Sequence, residues 1–191
     1  MHKVPNFGSA LQAYALQHKV DELGYDAELI DYHYPNKYHC AKQGLAYFPQ
    51  RSTFRLFILN VIARLMLIAH GNKNRAKCEE RIERYELQKN YRRFYRRYFK
   101  LSRFYDSIES ICNNPPDCSI YMTGSDQVWN PRFVANDSVF FLDFAGVDKP
   151  RLSYAASMSN RKIDKEFEDL YKAYLQKYAA ISVREKSTAE I

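Results

Sequence analysis

Residues that punctuate or staple a chain are scarce in this sequence. Six glycines and seven prolines among 191 residues exclude a collagen-like or low-complexity linker protein. Cys40, Cys78, Cys112 and Cys118 show no C-x-x-C spacing and no histidine pair at ligand spacing from them, so neither a zinc site nor a dense disulfide framework is expected. Reduced thiols in a cytoplasmic protein fit that usage, and no metal or cofactor is expected. Long apolar runs are missing too. The most apolar window, residues 54–69, contains Arg55, Asn60 and Arg64, whereas a membrane span needs about 20 predominantly apolar residues. No apolar stretch follows the opening Met1 to Asn6, so no secretory signal is read there.

What is present is apolar and aromatic residues in quantity. Hydrophobic residues make up 46% of the chain, and 16 Tyr with 12 Phe dominate the aromatic share. That is enough for a real core. It also suits packing or stacking on flat ligands and sugar rings. The net charge of +7 is local: residues 75–103 hold 11 Lys and Arg against 4 Glu, and the remainder balances at 18 of each sign.

The pattern along the chain is α/β. Ser9 to Leu23 reads as a helix, with Ala10, Ala13, Leu16, Val20 and Leu23 on one stripe facing a sheet, Ser9 as N-cap and Gly24 as the stop. A strand follows at 26–32. From 36 to 116 the pattern turns helical, with an apolar helix over 54–69, a long basic-aromatic helix over 75–99 and a short one near 106–112. Strands return at 118–123, 139–144, 152–157 and 180–183. A helix at 164–178 turns Phe167, Leu170, Tyr174 and Tyr178 inward, and Ser187 caps a last helix. The expectation is a Rossmann-like parallel sheet flanked by helices. Residues 1–35 would open the α/β domain, 36–116 would be a helical insertion, and 117–191 would continue the domain.

Three segments carry candidate chemistry. Asn6, Phe7, Gly8 and Ser9 open a helix, where free backbone N–H groups favour anions. Thr123, Gly124, Ser125, Asp126, Gln127, Val128, Trp129 and Asn130 follow a strand at the edge where open parallel sheets bind ligands. The bland account of this run is a turn organised by Asp126 and Asn130, with Trp129 packed in the core. Arg184 ends the last strand, suited to bidentate capture of phosphate or carboxylate, or else to an ion pair with Glu185. The small residues of Ser153–Ser157 would let a ligand approach the backbone closely. On the basic helix, Leu87, Tyr91, Phe94, Tyr95 and Tyr98 share one face and basic residues flank them. Simple packing explains that face, and so does docking to an anionic membrane surface, a lipid-linked phosphate or nucleic acid.

The run Asn6 to Gln17, Leu23-Gly24-Tyr25, Ile30-Asp31-Tyr32, the run Thr123 to Pro131, Ser153 to Ser157 and Ile181 to Glu185 together resemble the polysaccharide pyruvyl transferases. The resemblance implies the N-terminal half of a two-domain, glycosyltransferase-like architecture with Rossmann-type halves. It implies transfer of the pyruvyl group of phosphoenolpyruvate to two sugar hydroxyls of a surface polysaccharide or its lipid-linked precursor, as a cyclic ketal. Asn6, Gly8, Ser9, Thr123, Gly124, Ser125, Asp126, Gln127, Trp129, Asn130 and Arg184 would border the substrate cleft, with Arg184 holding the anionic donor. In that family a histidine of the C-terminal half is the expected acid, so no catalytic residue is assigned within this chain. The first strand is cut to a remnant by comparison, and the chain reads as an N-terminal fragment that is inactive alone. The alternative is a non-catalytic sugar- or anion-binding module of the same fold. Expected partners are phosphoenolpyruvate and a glycan acceptor, with peripheral contact at the inner membrane face through residues 75–103 and no nucleic acid.

Overall fold

A computed structural model describes residues 7–32, 53–69, 75–124, 127–134, 137–159 and 163–191. The chain is mixed α/β, with parallel sheets flanked by helices, and it divides into two compact units. In its described residues, one unit comprises 7–27, 53–69 and 75–100, and the other 28–32 and everything from Leu101 onward.

The first unit is helical. Helix α1 (Phe7–Glu22) ends as its sequence requires. Gly24 adopts φ +91°, the Gly24 N–H donates to Asp21 O at 3.0 Å and the Tyr25 N–H donates to Val20 O at 3.3 Å, a Schellman closure that favours glycine there. Because α1 already begins at Phe7, Ser9 lies inside its first turn and is not the N-cap. The expected sheet-facing stripe is also revised. Leu23 is exposed, the deepest α1 residues are Ala10 and Gln17, and the neighbour is another helix. Tyr14 meets Phe94 and Tyr98 edge-on at 5.8 and 5.5 Å, and Phe7 meets Tyr91 at 6.1 Å. These five aromatics make α1 a partner of α3 (Arg75–Tyr98). The buried Gln17 amide donates to Ala27 O at 2.8 Å and Lys100 O at 2.9 Å, tying both chain ends of the unit together. Helix α2 (Thr53–Ala69) packs along α3 through Ala63, Asn60 and Cys78, all buried. Of the expected aromatic face of α3, Tyr91 is buried and its phenol is pushed up to about 12 by desolvation, whereas Leu87 and Tyr98 are exposed.

The second unit holds the strands. Strand β1 (Leu29–Tyr32) pairs in parallel with β2 (Leu101–Tyr105), with Tyr32 opposite Tyr105. Strand β2 has no counterpart in the sequence reading, which runs from the basic helix straight to the next one. Ser107 caps α4 (Ile108–Asn113) with a full capping box to Ser110, the pattern that starts helices. A second sheet has the order β3-β4-β5, all parallel: β3 (Tyr121–Gly124), β4 (Arg151–Ala156) and β5 (Ala180–Val183).

The expected strand over Val139–Phe144 is instead a 3-10 turn at Ser138–Phe141, because the Asp137 carboxylate accepts the Val139 N–H at 2.9 Å and Leu142 closes the turn at φ +59°. Its apolar side chains are inward nonetheless. Val139 and Leu142 join Tyr32, Tyr105, Ile111, Tyr121 and Phe144 in one core, and Phe141 joins Trp129, Met158 and Tyr171 in another. Helix α6 (Lys165–Leu175), which follows the short α5 (Pro131–Val134), buries Tyr171, and Phe167, Tyr174 and Tyr178 pack against the same core as expected, while Leu170 of the expected inward set is exposed. The last helix, α7 (Lys186–Ala189), is N-capped at Glu185, so Ser187 sits within it.

Candidate functional site

Three parallel strands deliver their carboxyl ends to one edge, and most sequence-picked residues of the second unit lie there. Gly124 ends β3 opposite Tyr154 of β4. Ser125 and Asp126 fall outside the described residues, and so does Asn6. The chain resumes at Gln127, whose φ of +59° turns it back toward the sheet. The Asn130 N–H and amide donate to Gln127 O and Oε1, each at 3.0 Å, and the Trp129 N–H donates to Ser157 O at 3.2 Å. These bonds clamp the loop after β3 onto the end of β4.

Thr123, Trp129 and Asn130 have internal partners. The Thr123 hydroxyl and the Trp129 indole N–H both donate to Phe140 O, at 3.2 and 3.3 Å. Trp129 is 1% exposed, stacked on Phe141 and met edge-on by Tyr178. The Tyr171 hydroxyl donates to Trp129 O at 2.9 Å. These side chains give the loop its shape from beneath, while Gly124 and Gln127 are half-buried at its surface. Gly8 and Ser9 open α1 in the other unit.

Strained backbone gathers at this edge. Four described residues other than glycine have positive φ, and Gln127, Ala155 and Ser159 are three of them. A side chain in that region costs about 1–2 kcal/mol, and such strain concentrates at ligand-binding places. At Ala155 the β4–β5 register slips between Ser153 and Ala156. Beyond the slip the Arg184 N–H donates to Ala156 O at 3.0 Å, fixing the arginine's backbone to the ladder.

The Arg184 side chain is 41% exposed, and its Nε and Nη2 both donate to Glu185 Oε1, at 2.8 and 2.5 Å. Glu185 is itself anchored, since the Thr188 hydroxyl donates to its Oε2 at 3.2 Å. Burial pushes the Glu185 carboxyl up, but hydrogen bonds from the Ser157 hydroxyl and Arg184 outweigh that and hold it below the usual glutamate value. Ser157 is fully buried, and its hydroxyl also accepts the Ser159 N–H at 3.1 Å. Sequence reasoning selects Arg184 and the small-residue strand end but passes over Glu185 as a binding-edge residue. Its signal was the Arg-Glu pair directly after β5. The assembly offers a guanidinium of fixed plane at a strand edge, next to small residues and turned-back backbone. That combination suits a planar anionic group on a small molecule. No cluster of three or more metal-ligating side chains occurs among the described residues.

The family model described as polysaccharide pyruvyl transferase matches residues 6–191. No curated protein and no solved structure matches the chain.

Proposed function

The chain belongs to the polysaccharide pyruvyl transferase family, and from that premise we propose that it serves the transfer of the pyruvyl group of phosphoenolpyruvate to two hydroxyls of a sugar. The acceptor is a surface polysaccharide or its lipid-linked precursor, and the product is a cyclic ketal. The observation that carries this reading is the family match over residues 6–191. The strand unit then corresponds to a Rossmann-like half of a glycosyltransferase-like enzyme, and the carboxyl edge of β3-β4-β5 to the donor side of its cleft. Gly8 and Ser9, at the head of α1 in the helical unit, offer helix N-terminal N–H groups that suit an anion.

In this reading Arg184 holds the donor's carboxylate or phosphate, with Glu185 setting the plane of the guanidinium until the anion displaces or shares it. Gln127 and the N–H groups of the loop after β3 line the adjoining wall, where the absence of side chains at Gly124 admits a sugar ring. The reaction balances as follows. A proton adds to the methylene carbon of the donor, and the adjacent carbon becomes oxocarbenium-like and takes the first sugar hydroxyl. Inorganic phosphate then departs and the second hydroxyl closes the ketal, each hydroxyl releasing its proton. Arg184 acts on the anionic groups throughout, stabilising charge as it moves to the leaving phosphate.

Titration calorimetry of phosphoenolpyruvate into the protein tests the reading. Binding is expected, and Arg184→Ala should weaken it ten- to hundredfold. Losing a charge-assisted hydrogen bond costs about 1.5–3 kcal/mol, and every ~1.4 kcal/mol is a factor of ten. No binding by the parent protein, or equal binding by the variant, overturns the donor assignment.

A further inference from the structure

Helix α2 presents an apolar stripe that its own unit does not cover. Phe57, Ile58, Val61, Ile62, Leu65 and Met66 are all more than one-third exposed. They recur at i, i+4 and i+8 in two adjacent rows, so they occupy one face. The opposite face, with Asn60 and Ala63, is the one buried toward α3. An exposed stripe of this size on a single helix marks an interaction surface.

The charge around it selects the occupant. Helix α2 contains no acidic residue at all, and residues 53–100 carry 13 Lys and Arg against 4 Glu, a net of +9. A second copy of the chain seated on this stripe would bring two such basic hairpins together. A partner with a negative surface and an apolar interior fits both features at once. No described helix is long and apolar enough to cross a membrane, so the stripe suits lying in the interface plane.

We propose that the α2–α3 hairpin docks on an anionic lipid surface, with the α2 stripe entering the headgroup–acyl boundary and the net positive charge of the hairpin drawing it to the lipid phosphates. The sequence alone points to the basic helix for such contact; the structure moves the inserting element to α2. This docking does not depend on the transferase chemistry, and its test reads lipid binding, not turnover.

Sedimentation of the protein with phosphatidylcholine vesicles, with and without 30% phosphatidylglycerol (a choice of about one-third anionic lipid), tests it. Binding is expected on the anionic vesicles, weak binding on the neutral ones, and a decline with added salt. Leu65→Glu should lower the partition about tenfold or more. Val147→Glu, which adds the same charge at a fully exposed residue of the strand unit, should leave it within about twofold. Both sites are exposed, and unchanged far-UV circular dichroism checks the fold. Absence of binding to anionic vesicles, or equal loss in the two variants, overturns the proposal. So does a lipid-free dimer that Leu65→Glu dissociates, because the stripe would then belong to a second copy.

Discussion

Glu185 shows how much one side chain contributes at the strand edge. Its carboxylate takes two donors of Arg184, and a third from Thr188. Because its folded pKa lies below the usual 4.5, the native state binds fewer protons than the unfolded chain in that window. The stability it contributes is therefore present above the unfolded value and lost as pH falls through the folded one. Urea unfolding at pH 6 and again below pH 4.5 should show the parent losing more stability on acidification than Glu185→Gln. An equal pH dependence in the two proteins would mean that the carboxylate is not held by these donors. Asp137 works in the opposite sense. Its carboxyl is raised by burial, despite accepting the Tyr32 hydroxyl at 2.7 Å, so its ionisation costs stability as pH rises. The Arg184–Glu185 pair itself is partly solvent-exposed, at 41% and 32% of its side-chain surfaces, and exposed pairs contribute about 0–1 kcal/mol. Arg184→Ala should accordingly leave the melting temperature nearly unchanged while donor binding falls, which separates a ligand role from a structural one.

At the scale of elements, the end of β4 stores strain that a substitution can release. Ala155 sits at φ +49° where the ladder to β5 slips. Glycine adopts that conformation without the Cβ clash. Ala155→Gly should stabilise the protein by roughly 0.5–1 kcal/mol, and Ala155→Val should destabilise it by more than that. A loss of stability in the glycine variant, measured by urea unfolding, would show that the alanine methyl packs usefully there. Elements that announce themselves by their own residues were legible in the sequence. Examples are α1 with its Gly24 stop and β5 at Ala180–Val183. Strand β2 was not, because Leu101–Tyr105 follows a long helix without a glycine or proline and becomes a strand only by pairing with β1, remote in sequence. The turn at Ser138–Phe141 was misread for the converse reason. Its apolar residues look like a buried strand, and the Asp137 cap that bends them is a single polar residue upstream. The candidate site was legible where loops follow parallel strands. For Trp129 and Asn130 the plainer account read from the sequence is the one the packing supports: Trp129 is buried and Asn130 holds the turn at Gln127.

On the scale of the whole molecule, charge is segregated. Residues 101–191 hold 11 basic and 13 acidic side chains, so the positive excess lies in the helical unit, at 53–100. Part of it is neutralised locally by Arg64–Glu86, Arg75–Glu79 and the contacts of Lys100 with Asp21 and Asp26. The exposed row Lys89, Arg93 and Arg97 stacks three like charges at i, i+4 and i+8 on one face of α3, of which Lys89 is also paired with Glu86 at 3.3 Å. Like pairs at that spacing destabilise a helix by about 0.2–0.5 kcal/mol each, and opposite pairs stabilise it by as much. Arg93→Glu converts both pairs at once, so it should stabilise the free protein by about 1 kcal/mol at low salt. The gain should shrink as salt rises, because the Debye length is about 10 Å at 0.1 M. The same substitution removes a positive charge from the proposed lipid-facing hairpin and should weaken partition onto anionic vesicles. A sequence that keeps a repulsive row at the expense of stability is consistent with use of that row on a partner. Thermal melts at about 20 and 300 mM NaCl, on either side of the screening range, together with vesicle sedimentation of the one variant, decide the matter. Higher stability with unchanged lipid binding would detach the row from the docking surface, and lower stability would mean that Arg93 has a stabilising contact on α3.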